Sequence, residues 1–232
     1  MIGAWAAFHK ILDGSTKHEL EFKFKSLGIL VLTDPNMPAD TQPKQARSKA
    51  RRRHLLEHGV VLFNTRGLDD VSIQDITGAV GFSTGSFYSY FADKTEYFVA
   101  VQASVAAEQR ARAAEIFTPD KLASVDLAGR LRLCVGFAIS YFRAHTGLVH
   151  AALSYERRIP AGWRPNRQTT AMIIARVVAD LPEDQARRLE TAIQLAFGLL
   201  VNCVLHDPGP LRLGDPALAD RILDALSPNL AE

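Results

Sequence analysis

Hydroxyl groups crowd one short stretch of the chain. Ser83, Thr84, Ser86, Tyr88, Ser89 and Tyr90 fall within eight consecutive residues. Such side chains both donate and accept hydrogen bonds, so a surface built from them suits phosphate oxygens and base edges. Upstream, Lys44, Arg47, Lys49, Arg51, Arg52 and Arg53 are crowded together with no acidic residue among them. The formal net charge of the whole chain, +2, is too small to argue for a nucleic acid, but its distribution does. Each phosphate that this cluster neutralised would add a salt-sensitive increment to affinity. The chemistry on offer is recognition of a charged, hydrogen-bonding polymer.

The elements that must hold these groups read as two short helices joined by a tight turn, with a third helix at once behind them. Ser72 can cap the first with Asp75 three positions on, and Ile73, Ile76 and Val80 recur on one face until Gly81 stops the helix. Phe82 packs the turn, Ser83 is a natural N-cap for the second helix, and Gly85 leaves its backbone free to approach a groove wall. Phe87 and Phe91 face inward at i, i+4, which leaves Thr84, Ser86, Tyr88, Ser89 and Tyr90 to face outward. Asp93 and Glu96 form the capping pair of the next helix. This is the layout of a helix-turn-helix DNA reader.

The segment Gly81-Phe82-Ser83-Thr84-Gly85-Ser86-Phe87-Tyr88-Ser89-Tyr90-Phe91-Ala92-Asp93-Lys94 resembles the signature of tetracycline-repressor-type (TetR family) transcriptional regulators. Upstream, Leu55-Leu56-Glu57, Leu62-Phe63 and Gly67 resemble that family's first helix, so the likeness covers roughly residues 45–100. Thr84 stands where the family often has lysine, Gly59 where it usually has alanine, and Thr77 with Gly78 where small helix formers are common. Gly59 inside a helix costs about 1 kcal/mol relative to alanine, which is tolerable where two helices touch. The resemblance implies phosphate contacts from Tyr88, Tyr90 and Lys94. It puts Thr84, Gly85 and Ser86 closest to the bases, with Ser72 and Gln74 on the helix before; Ser83, Ser89 and, from the basic stretch, Arg51 complete the expected DNA-binding set.

It also implies an all-α fold: an N-terminal three-helix helix-turn-helix DNA-binding domain at residues 44–92 and a C-terminal helical dimerisation and ligand-binding domain at 93–232. The apolar spacing beyond Asp93 agrees with such a body. Helices are expected from Asp93 towards Phe117, over Leu122 to His145 with Gly147 at its end, over Leu148 to Tyr155, and over Thr170 to Leu181 after a loop marked by Pro160, Gly162 and Pro165. Two more follow, Asp184 to His206 and one opened by Pro216. In the resembled family the last two long helices form a four-helix dimer interface. That assigns Leu189, Ile193, Phe197, Leu200 and Val204, with Leu218 and Ile222, to a homodimer contact. Polar and aromatic groups on the body helices, Tyr141, His145, His150, Tyr155, Trp163, Met172 and Phe197, are the candidates for an effector pocket, since apolar cavities between bundled helices are usual small-molecule sites.

Other chemistry has little support. His145 and His150 are five apart with Gly147 between them, and Cys134 and Cys203 have no ligand partner nearby, so no metal site and no cofactor is expected. There is no phosphate-cradling glycine loop after a strand and no nucleophile elbow, and Glu156 beside Arg157 and Arg158 reads as a surface ion-pair cluster; no enzyme is expected. The two cysteines read as buried free thiols in a reducing compartment. No apolar run reaches the roughly 20 residues of a membrane helix. Residues 1–43 do not fit the rest, since 20–25 alternates like a strand and Asp34-Pro35-Asn36-Met37-Pro38 breaks any regular element. They read as a poorly ordered extension, explained either by translation starting at Met37 or by a small accessory hairpin or partner-binding arm. The expected protein is a cytoplasmic, nucleoid-associated regulator. It takes a double-stranded DNA operator, a second copy of itself and a small apolar effector as partners; the alternative is a helical protein-interaction or architectural DNA-binding protein with no small-molecule effector.

Overall fold

Short-range chemistry sets the helix ends. The computed structural model describes residues 44–206 and 209–230, and every regular element among them is helical. In order these are α1 (Lys44–Arg66), α2 (Ile73–Val80), α3 (Thr84–Tyr88), α4 (Lys94–Ile116), α5 (Pro119–Ala123), α6 (Leu127–Ala144), α7 (Thr146–Ser154), α8 (Pro160–Val178), α9 (Glu183–Leu205) and α10 (Leu218–Leu226), followed by a 3-10 turn. Ser72 Oγ accepts from the Asp75 amide at 3.1 Å while the Asp75 carboxylate accepts from the Ser72 amide at 2.8 Å, a complete capping box. Ser83 Oγ caps α3 through the Ser86 amide, and Asp93 caps α4 through the Glu96 amide at 2.7 Å. Gly67 and Gly81 end α1 and α2 in the left-handed region, with φ of 75° and 69°. The expectations for residues 1–43 lie outside the described residues.

One aromatic cluster holds the first helices together. Tyr97 of α4 is wholly buried, its ring 5.8 Å from Phe63 of α1, 5.5 Å from Phe87 of α3 and 5.0 Å from Phe91. Its hydroxyl donates to the carbonyl of Leu55 at 2.6 Å. Gly59 lies one turn further along α1, and a Cβ there would stand 2.4 Å from Tyr97 Oη and 2.6 Å from Val101 Cγ2. The glycine is therefore where α1 and α4 touch, which answers its cost in helix propensity. Beyond this cluster α4 packs mainly against α8, and α6 against α9 and α10. Arg130, buried near the start of α6, ties it to the end of α8 by pairing with Asp180 through both Nη atoms, at 2.5 and 2.8 Å, and by donating to the Val177 carbonyl.

The body departs from the spacing-based expectation in four places. The helix expected over Leu122 to His145 is two, because Asp126 Oδ1 accepts from the Gly129 amide and starts α6 afresh after the short α5. Gly147 does not stop a helix; it lies inside α7, where a Cβ would meet the Asn64 carbonyl oxygen at 2.3 Å. The loop expected around Trp163 is the start of α8, which runs through Pro165. Trp163, Asn166 and Thr169 are buried on one side of it, and Gly162 lets Phe98 approach to 2.9 Å of its would-be Cβ, so packing outweighs the hydrogen bond that the proline cannot make. Finally, α9 is long and apolar enough to cross a membrane by length and composition, with mean hydropathy 1.4. Its charges are confined to Glu183–Glu190, and Leu189, Ala192, Ile193, Ala196 and Leu200 are buried within the chain's own core.

Gly59→Ala should destabilise the fold by about 1–3 kcal/mol through overpacking, despite a helix-propensity gain of about 1 kcal/mol. Gly78→Ala, where a Cβ meets nothing within 4 Å, should instead stabilise it by roughly 0.5–1 kcal/mol. Urea titration of both variants reads the two signs; equal signs would overturn the packing account.

Candidate nucleic-acid interface and ligand cavity

The outer side of α3 carries the hydroxyl surface that the sequence predicts, but its members differ in how free they are. Ser83, Thr84, Gly85 and Ser89 are exposed, and Tyr88 is 53% exposed although its ring edges onto Phe87. Ser83 and Ser86 Oγ are 3.0 Å apart, Ser89 Oγ donates to the Ser86 carbonyl, and half-buried Tyr90 accepts from Ser48 at 3.4 Å. The side-chain hydroxyls of Thr84 and Tyr88 have no hydrogen bond among the described residues. Ser72 is occupied by its capping box, while Gln74 is exposed on α2 beside it. The Arg66 guanidinium at 2.8 Å, with help from Ser72, holds the Asp75 carboxyl well below the usual carboxylate range.

Cations frame this surface from one side. Arg51 lies over the Phe82 ring in the α2–α3 turn at 5.8 Å and Arg52 over Phe91, just beyond α3, at 5.2 Å, so these two guanidinium groups of α1 flank α3 while remaining exposed. Lys94 is committed differently. Its half-buried Nζ donates to the carbonyls of Leu68 at 2.8 Å and Val71 at 2.9 Å, so it pins the connection between α1 and α2 and has little donor capacity left.

A second site lies within the body. A cavity of about 70 Å³ opens between α4, α6, α8 and α9, lined by Gln109, Cys134, Phe137, Tyr141, Phe142, Trp163, Asn166, Thr169, Ile173, Ile193, Phe197 and their neighbours. Of the seven residues expected in a pocket it takes Tyr141, Trp163 and Phe197. His145 packs its ring 5.3 Å from Tyr141 but behind the wall, and His150 is exposed on α7. Tyr155 turns away to donate to the Asp69 carboxylate, and Met172 packs on the core without reaching the space. The polar lining was hidden from spacing arguments: Asn166 because its segment reads as a loop, Gln109 because it sits on the buried stripe of α4. A glutamine on an apolar stripe was the available signal. Burial pushes the Cys134 thiol up to about 12 and the Tyr141 phenol upward as well, so both are neutral.

Residues 55–101, from the core of α1 to the first turns of α4, match the family model described as bacterial regulatory proteins, tetR family. Over that segment the chain is similar to tetR-family regulators. Its fold agrees with solved members at low identity. A tetR-family regulator from Streptomyces coelicolor matches with a TM-score of 0.62 and 18% identity, over 78% of this chain and 80% of that one. A regulator of the same family from Mesorhizobium loti gives 0.63 and 15%, over 82% and 98%. The regulator FadR from Bacillus subtilis, solved in complex with stearoyl-CoA, gives 0.54 and 15%, over 77% and 99%. No curated protein sequence matches.

The stripe expected to meet a second copy points inward. Leu189, Leu200, Leu218 and Ile222 are wholly buried within the protomer, and Ile193 is nearly so. Phe197 lines the cavity, and Val204 is half-buried against the core. The stripe is the inner face of α9 and α10, since a helix of this apolarity has to cover its own body before it covers a partner. The opposite face carries Leu195, 46% exposed, with half-buried Leu199 and buried Leu226 along a shallow groove between the two helices.

His145 offers a pH readout of the cavity wall. Burial, and then the positive charge of Arg112, lower its pKa from the ordinary 6.5 to about 4, and its Nδ1 has no hydrogen-bond partner. Between these values the unfolded chain binds the proton and the folded one does not, so stability rises with pH across that window and is lost as pH falls from 6.5 towards 4. His145→Phe should flatten that slope in melting curves taken from pH 7 to pH 4.5. An unchanged slope would remove His145 as its source.

Proposed function

We propose that the chain binds a near-palindromic operator as a homodimer and represses by occupying the promoter, with a small, largely apolar ligand relieving that occupancy. Residues 44–92 act as the reading head and 93–232 as the dimerising, ligand-sensing body. The observation that carries this reading is the outer face of α3, where the Thr84 and Tyr88 hydroxyls stand exposed with no hydrogen-bond partner among the described residues while Phe87 on the opposite side is wholly buried. A helix held so firmly by one face is positioned to enter a major groove with the other. Arg51 and Arg52 beside it supply the charge that Thr84, in place of lysine, does not.

Two copies would join through the exposed groove side of α9 and α10, setting the heads in successive major grooves roughly 34 Å apart or at a related spacing. What supports ligand control is a run of buried hydrogen bonds from cavity to head. Tyr141 Oη donates to Asn166 at 2.7 Å, Asn166 to Gln102 at 3.1 Å, and Gln102 to the carbonyl of Leu148 at 2.9 Å. The Leu148 amide in turn donates to Asn64 of α1 at 3.0 Å. A ligand moves the equilibrium only if it binds the two head separations unequally. FadR, which shares this fold, was solved in complex with stearoyl-CoA, a precedent for a small-molecule complex of a protein of this fold.

Duplexes selected from a random pool by the full chain should converge on a sequence with two-fold symmetry. On that duplex Tyr88→Phe should weaken binding about three- to tenfold with an unchanged melting temperature. Arg51→Ala should reduce the slope of log affinity against log salt by about 0.9. Thr84→Val should change which sequence is preferred. If all three variants bind as the parent does, α3 is not the reading surface.

A further inference from the structure

We propose that the body cavity takes an uncharged, mainly apolar molecule carrying one hydroxyl or N–H donor, and that Gln109 is the residue that reads this donor. This rests on the reading of the body as a ligand-sensing domain, and it narrows the ligand by what the walls can and cannot do. Aromatic rings dominate them, from Phe137, Tyr141, Trp163 and Phe197 among others. None of the lining residues is an Asp, Glu, Lys, Arg or His. Cys134 and Tyr141 keep their protons, so the wall offers no counter-charge to an ionised ligand, and burying an unpaired charge in such surroundings is strongly unfavourable.

Of the lining side-chain oxygens and nitrogens sealed from solvent, one has no hydrogen-bond partner among the described residues. Tyr141 and Asn166 bond to each other and Asn166 to Gln102. Thr169 Oγ1 donates to the Pro165 carbonyl and accepts from Arg110 Nη1 at 3.2 Å, so its hydroxyl is engaged both as donor and as acceptor. Gln109 is only 5% exposed, lines the cavity, and its Oε1 has no hydrogen-bond partner. A buried acceptor without a partner is costly, and a donor delivered by a ligand removes that cost, whereas an ether or a carboxylate brings a second acceptor against it.

A matched series tests this: 2-naphthol, 2-methoxynaphthalene and 2-naphthoate, titrated calorimetrically into the full-length protein and into Gln109→Leu. The parent should bind 2-naphthol about tenfold more tightly than the methyl ether, with the carboxylate weaker than both. In Gln109→Leu the naphthol and the ether should bind within about twofold of one another, because the acceptor that told them apart is gone. Equal binding of naphthol and ether by the parent, tighter binding of the carboxylate, an undiminished preference in Gln109→Leu, or no binding of any of the three would each overturn the proposal. Operator binding measured in the same samples separates it from the broader reading. Naphthol bound with the predicted preference but without effect on operator affinity leaves the site standing and removes the regulatory role; absent ligand binding with intact operator binding does the reverse.

Discussion

The contact between Tyr97 and the first helix is the constraint on which the rest of the reading head depends. Tyr97 Oη needs the Leu55 carbonyl, and the close approach that allows this bond leaves no room for a side chain at position 59. Once the ring is seated there, Phe63, Phe87 and Phe91 have a common surface to pack on, and α3 is fixed from beneath. A five-residue helix has almost no stability of its own. What holds α3 in place is the aromatic cluster and the cap at Ser83, so the precision of its outer surface is inherited from Tyr97, which belongs to the next helix.

The same logic recurs at the other joints. Lys94 grips the carbonyls of Leu68 and Val71. Asn64 donates to the carbonyl of Ala144 and accepts from the amide of Leu148, while Gly147 admits the α1 backbone beside them. In each case a side chain bonds to backbone groups rather than to another side chain. Such a bond fixes the course of the main chain and places no demand on the partner's residue type. Gly147 stands where two backbones have to meet, since a Cβ there would strike the Asn64 carbonyl. Asn64 thereby serves the last carbonyls of α6 and the first amides of α7 at once, groups that a helix break otherwise leaves unpaired.

Much of the head was legible in the chain because its determinants are local. The caps at Ser72, Ser83 and Asp93, the stop at Gly81 and the inward pair Phe87 and Phe91 are all spaced within one or two helical turns, and each stands in the structure as the spacing implies. The body was legible as helical but not in its details, because there tertiary packing outweighs local signals. Pro165 sits inside α8 since Trp163 and Asn166 have a core to enter, and Gly147 marks a crossing rather than an end. The apolar stripe of α9 gave the right helix and the wrong destination. Periodicity shows that a face is buried without showing against what, and Leu189 and Leu200 are covered by their own protomer. Lys94 illustrates a further limit: a lysine beside a DNA-reading motif looks the same in sequence whether its ammonium faces phosphate or the carbonyls of the α1–α2 connection.

The size of the cavity sets how a ligand could act. About 70 Å³ is well short of the roughly 300 Å³ at which drug-sized pockets begin, and below the roughly 150 Å³ of an engineered cavity that holds benzene. Interiors are packed too densely to absorb such a difference by small local shifts, so a ligand enters only as the surrounding helices move apart. The α4 helix is the element common to both sites. Gln109 stands in the cavity wall, Gln102 in the buried hydrogen-bond run, and Tyr97 in the core beneath α3. Twelve residues at 1.5 Å each put Gln109 roughly 18 Å from Tyr97 along one rigid rod. In the proposed homodimer, displacing the far end of that rod would tilt the ring on which the head is seated, and a tilt common to both copies would change the spacing of their reading helices while leaving each of them folded.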